Sequence, residues 1–186
     1  NTSALFSGGY TGSDTSNVEL WNGTNWTETT NLPTARVSGS AGGNTSNALI
    51  FAGRNPSLTG TSVEWIGAGA PVGAWATQAN MNTAREVNGA GTVYTAALAF
   101  GYGSAVTELW AGSSWTTVNS LNTAKALSAG FGASNSAINC GGEIPATTAL
   151  TETWNGTNWA ETADLNLARY GLAAAGVSNT SGLVFG

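Results

Sequence analysis

The chain contains no histidine and a single cysteine, Cys140. Without histidine, a Ser-His-Asp triad, a Cys-His pair and a histidine zinc site are all impossible. One cysteine makes neither an intrachain disulfide nor a thiolate cluster, and it leaves the redox compartment unread. Cys140 itself reads as a small buried apolar residue. Charge is scarce too: charged residues are 8% of the chain, against about a quarter in ordinary proteins. Five are basic and ten acidic, for a net charge of −5, and Lys125 is the only lysine. Nucleic acid and anionic membrane both require clustered basic residues to displace counterions, so neither is an expected partner. No run of about 18 apolar residues is present, which predicts no membrane insertion. No charged-then-apolar leader opens the chain, and the absent initiator Met suggests a processed or excised product. Only two aspartates occur, Asp14 and Asp164, and neither has calcium-loop spacing. No metal or cofactor is expected.

What remains is polar, uncharged and repetitive. The 186 residues suit one domain, residues 1–186, and 41% hydrophobic content suffices for a core, with 26 Gly and eight Trp. The hexapeptide WNGTNW occurs at 21–26 and again at 154–159. It belongs to a longer repeat with four copies: VELWNGTNWTETTNLPTAR, VEWIGAGAPVGAWATQANMNTAR, TELWAGSSWTTVNSLNTAK and TETWNGTNWAETADLNLAR. Aligning them brings Glu19, Glu64, Glu108 and Glu152 into register. Trp26, Trp75, Trp115 and Trp159 follow, and then Arg36, Arg85, Lys125 and Arg169. The second copy carries an insertion, GAGAPVGA.

Within each copy, short apolar or alternating segments are broken by Gly, Asn and Ser, which predicts strands and tight turns and no helix. SALFSGG, NVELWNG, NWTETTNL and RVSGSAGG read as four successive antiparallel strands. Asn-Gly at 22–23 and 155–156 suits a primed hairpin turn, in which both central residues take positive φ. Four strands per period of about 44 residues predict an all-β fold, a β-propeller of four-stranded blades. The small-residue stretches SGSAGG, NGAGT, SAGFGA and AAAGV would form the innermost strands, where blades converge.

These residues resemble the Kelch-type propeller repeat. In that pattern a Gly-Gly ends one strand, an aromatic sits on the next, a Trp follows, and an Arg opens the following blade. The Gly pair is intact at Gly8–Gly9 and Gly141–Gly142, and reduced to Ala52–Gly53 and Phe100–Gly101 in the middle copies. The first aromatic is Trp21, Trp110 and Trp154, with Ile66 in the second copy. The wording is similar to divergent Kelch-like repeats of phage and prokaryotic fibre and surface proteins. That resemblance implies an extracellular or virion-surface location and a binding or structural role. The copper site of Kelch-type galactose oxidases needs histidines, so that activity is not carried over.

Positions shared by all copies read as architecture: tryptophans between blades, and carboxylate–cation pairs stitching blade to blade. Function is sought where copies differ, and the residues after the strand-ending glycine do differ: Tyr10, Arg54, Tyr102 and Glu143. They are the ligand-binding candidates, with RNPSLTG, GAGAPVGA and EIPATTA as long or Pro-bearing loops beside them. The expected role is a non-enzymatic module recognising glycan or protein through that face. An alternative is an assembly protein. NTSALFSG at 1–8 returns as NTSGLVFG at 179–186, a duplicated strand that suggests either a longer array or strand exchange into a homo-oligomer. A glycosidase using register glutamates, Glu28, Glu161, Glu86 or Glu143 is the least supported reading.

Overall fold

The computed structural model describes residues 3–67 and 73–186. Most of the GAGAPVGA insertion therefore lies outside the described residues. The described chain is all-β, without a helix, and its sheets follow one another in sequence.

The first sheet has three antiparallel strands, β1 (Ala4–Ser7), β2 (Val18–Trp21) and β3 (Trp26–Glu28). The second has four: β4 (Ser40–Gly43), β5 (Asn47–Phe51), β6 (Ser62–Ile66) and β7 (Ala74–Gln78). The third repeats that order with β8 (Asn88–Val93), β9 (Ala96–Phe100), β10 (Thr107–Trp110) and β11 (Trp115–Val118). In the fourth, β12 (Ala129–Ala133) and β13 (Ser136–Cys140) are followed by a small hairpin, β14 (Glu143–Ile144) and β15 (Ala146–Thr147). The sheet is then completed by β16 (Thr151–Trp154) and β17 (Trp159–Glu161). A two-stranded sheet, β18 (Ala173–Ser178) with β19 (Ser181–Phe185), ends the chain.

The small-residue strands hold the array together. β8 packs on β4 and on β12, and β12 packs on β18. Bulk is excluded at these junctions: a Cβ on Gly42 of β4 would lie 3.2 Å from the Gly91 carbonyl of β8. Outward from this seam the apolar faces of neighbouring sheets meet in separate clusters. One joins Leu49 and Phe51 to Trp110 and Trp115, and the next joins Leu98 and Phe100 to Trp154 and Trp159.

The hexapeptide WNGTNW is a hairpin whose two tryptophans face each other. Trp21 pairs in register with Trp26 and Trp154 with Trp159, with ring centroids 5.4 and 5.5 Å apart. Its turn differs from the primed two-residue type expected. Four residues connect the strands, and only the glycine takes positive φ, 97° at Gly23 and 94° at Gly156. The Asn22 side chain closes the loop instead, its Oδ1 accepting from the N–H groups of Thr24 and Asn25 at 2.9 Å. Asn155 does the same for Thr157 and Asn158, and Asn44 does it in the tighter β4–β5 turn. Asparagine is selected here for its side-chain acceptor rather than its tolerance of positive φ.

Candidate functional site

Strand pairing corrects the sequence alignment at the second copy. Trp65 pairs with Trp75 as Trp110 pairs with Trp115, so Trp65, not Ile66, is the first aromatic. Counting back along β6 puts Val63, not Glu64, in the place of Glu108 and Glu152. Successive strand residues face opposite sides, so this shift of one residue turns Glu64 to the other face. There its Oε2 accepts from Gln78 Nε2 at 2.7 Å.

Glu108 and Glu152 are buried, at 0% and 1% exposure, and each does the same work. Glu108 accepts from the backbone N–H of Asn82 at 2.7 Å and of Thr83 at 3.3 Å. Glu152 accepts from Asn122 N–H at 2.8 Å and Thr123 N–H at 3.2 Å. Those residues lie on the segment that leads out of the preceding sheet, so the carboxylate clamps the crossing chain. It also meets the cation that ends that segment: Arg85 pairs with Glu108, and Lys125 Nζ lies 4.0 Å from Glu152. Each cation also caps a backbone carbonyl beside the strand that carries its carboxylate, that of Val106 for Arg85 at 3.2 Å and of Leu150 for Lys125 at 2.9 Å. The carboxylate–cation pair and the hydrogen bonds to Asn82, Thr83, Asn122 and Thr123 thus both tie a crossing segment to the sheet it enters. Burial pulls Lys125 below the ordinary ammonium value, against the opposing pull of Glu152. Burial likewise pushes the Cys140 thiol up.

In the second sheet the whole clamp is rewritten. Val63 replaces the carboxylate, and Pro33, which has no N–H, stands where Asn82 and Asn122 stand in the later copies. The first donor and the acceptor vanish together, and Val63 packs with Val18, Leu32 and Ile50. Arg36 keeps its carbonyl caps, on Ala52 at 3.3 Å and Thr61 at 3.2 Å, while burial lowers its pKa.

The second tryptophans reach across to the preceding sheet. Trp115 Nε1 donates to Ser62 Oγ at 2.9 Å, and Trp159 Nε1 to Thr107 Oγ1 at 3.0 Å. Phe51 and Phe100 meet these rings edge-on, with centroids 4.8 and 4.9 Å apart. Trp75 finds Val18, which has no hydroxyl, at the corresponding place, and its Nε1 donates to the Thr30 carbonyl instead. Ser62, Thr107, Asn82 and Asn122 were not singled out by sequence reasoning. The signal was available in the recurring hydroxyl residue at the start of the strand and in the repeated Asn-Thr-Ala before the cation.

The loops that carry the four ligand-binding candidates share one edge of the array. The N–H groups of Gly9, Gly53, Gly103 and Gly142 donate to the carbonyls of Arg36, Arg85, Lys125 and Arg169, so all four loops lie beside those segments. Tyr10, Arg54 and Glu143 each follow such a glycine. Tyr102 precedes one, which places it with Gly8, Ala52 and Gly141 at a position of positive φ, 61° for Tyr102 itself. Ser104 therefore holds the place Tyr102 was expected to hold. The cause is one extra residue, Gly101, after the strand, offset by a shorter loop before Thr107. RNPSLTG and EIPATTA are likewise not unusually long, since residues 10–16 of the first copy match their length and the third copy is the short one. Arg54 is held by Glu86, with Nε 3.0 Å from Oε1. Tyr10 is 69% exposed.

Among the described residues, three clefts lie beside β1, and a fourth lies on β18 and β19. One of about 470 Å³ is lined by Leu5, Ala41, Gly42, Gly43 and Ile50 among others. Tyr10, Arg54, Tyr102 and Glu143 do not line it. It occupies the place beside β1 where the other four-stranded sheets have their small-residue strand. As for paired carboxylates, Glu19 faces Glu28 across β2–β3 and Glu152 faces Glu161 across β16–β17. Glu152 is committed to its clamp, and Glu19 and Glu28 stand on an exposed face. Among the described residues no three His, Cys, Asp or Glu side chains converge as metal ligands. No known family model and no curated protein sequence matches the chain.

Proposed function

We propose that this chain is a non-enzymatic, Kelch-like β-propeller module of an extracellular or virion surface, and that its work is assembly. The observation that carries this reading is the state of its two ends. At one end β1 has a single strand neighbour, Trp26 is 50% exposed against 6% for Trp115 and Trp159, and Glu19 is exposed where Glu108 is buried. At the other end β18 and β19 form a two-stranded sheet with exposed Val177, Leu183 and Phe185. Among the described residues no ladder joins the two ends. Unpaired strand edges with apolar side chains are templates for another chain. Light scattering over a range of concentrations is expected to give a mass above 18.7 kDa that rises with concentration. A mass fixed at 18.7 kDa throughout would rule the reading out.

A second reading, recognition of glycan or protein through the loop edge, is supported by the common build of three loops. In each, a threonine N–H donates to the opening glycine carbonyl: Thr15 to Gly9, Thr59 to Gly53 and Thr148 to Gly142. A constant frame carrying Tyr10, Arg54 and Glu143 in turn is how a scaffold displays variable contacts. On this reading, immobilised glycans or peptides that retain the chain release the Tyr10→Ala, Arg54→Ala variant while its unfolding midpoint is unchanged. Undiminished retention would dispose of it.

A further inference from the structure

Resting on the assembly reading, we infer that the face of the fourth sheet turned away from the third, with Arg169, receives the first sheet of a second copy, head to tail. In this contact Glu19 of the incoming copy pairs with Arg169.

The argument comes from what each junction inside the chain contains. Between the second and third sheets, and again between the third and fourth, the same set is present. A carboxylate takes two N–H groups of the crossing segment, a cation sits against that carboxylate, and a tryptophan donates to the hydroxyl residue that begins a strand of the preceding sheet. The fourth sheet ends with the donor half of such a set. Its crossing segment supplies Asn166 and Leu167 in the places of Asn82 and Thr83, then Arg169 in the place of Arg85, and Thr151 in the place of Thr107. Arg169 reaches the Gly186 carbonyl at 3.3 Å and has no carboxylate partner among the described salt bridges. The first sheet carries the acceptor half. Glu19 stands where Glu108 and Glu152 stand, Trp26 where Trp115 and Trp159 stand, and both are exposed. Glu19 also lies directly opposite Glu28, a like-charge pair that is destabilising until a cation joins it. In the fourth sheet the corresponding pair, Glu152 and Glu161, has Lys125.

The cleft beside β1 completes the fit. It is lined by the glycines and alanines of β4, the surface on which β8 packs from the other side, and β18 is a strand of small residues, AAAGVS. β18 of one copy thus fills the missing place in the first sheet of the next. Gly182 lies under the Phe131 ring, with no room for a Cβ, while its counterpart in β1 is Ala4. β19 therefore keeps its place beside β18, and the incoming β1 gives way to it.

Charge reversal in trans tests the pairing on the full chain. Glu19→Arg and Arg169→Glu are each expected to reduce the associated mass to that of the single chain, because each sets like charges against each other. Mixing the two variants restores association, since Arg at 19 meets Glu at 169 and the remaining ends are native. Matching unfolding midpoints show that both variants fold. Association that survives both reversals overturns the pairing and leaves the assembly reading standing. Loss of association that the mixture fails to restore also overturns it. A wild-type chain of constant single-chain mass removes the assembly reading itself.

Discussion

Replacing Glu108 by alanine is expected to lower the folding free energy by about 3–5 kcal/mol, the cost of leaving a buried charge without its partner. Arg85 would keep its carbonyl caps but lose its carboxylate, and the N–H groups of Asn82 and Thr83 would lose their acceptor. Urea unfolding at low protein concentration measures the loss. Adding Arg85→Met to the same chain is expected to recover part of it, because the uncompensated charge is then gone. Glu19→Ala, at the corresponding place in the first sheet, is expected to leave the midpoint of the isolated chain where it is, since Glu19 is solvated. A loss for Glu108→Ala below about 1 kcal/mol, in the range of an exposed ion pair, would mean that the clamp contributes little.

Trp159→Ala carries the second large effect, about 3–5 kcal/mol, because the ring is buried between two sheets and no neighbour can fill its place. The substitution removes the edge-on contact with Phe100, the contact with Trp154 and the Nε1 hydrogen bond to Thr107. Thermal and chemical unfolding are expected to agree on the loss. Trp26→Ala is the informative contrast. That ring is half exposed and its main neighbour is Trp21, so a loss well under half that of Trp159→Ala is expected, together with reduced association. Equal losses at the two positions would show that Trp26 is as deeply packed as its counterpart and would contradict the exposed face of the first sheet.

Much of this was legible in the residues because the repeats state the same physical demand several times. The alternation around the Glu and Trp of each copy marked the strands, and the runs of Gly, Ala and Ser marked those that pack on one another. What was illegible came from single-residue slips. Glu64 and Glu108 look equivalent as letters, yet Glu64 stands directly before its Trp where Glu108 stands two residues before, which turns its side chain to the other face, and only strand pairing reveals it. Tyr102 slipped similarly, through an extra Gly101 compensated further along the loop. The turn at residues 22–25 was misread because Asn-Gly serves two geometries, and the side-chain acceptor of Asn22 decides between them. The direction of Arg36, Arg85 and Lys125 could not be read from spacing, since a long flexible side chain can reach its own sheet or the next. The coupled change of Pro33 with Val63 was present in the sequence throughout. It becomes meaningful only once the backbone donor and the carboxylate are known to meet.

The way each crossing segment is gripped by the next sheet has a consequence for how the molecule comes apart. Every sheet is coupled to its immediate neighbours in the chain, so stability accumulates as a sum over units and junctions. The units that share two junctions open last, and those with one fray first. Cooperativity in such an array is a property of its length. A chain of this design gains resistance to unfolding with each added repeat, and it gains most at the step that leaves no terminal unit.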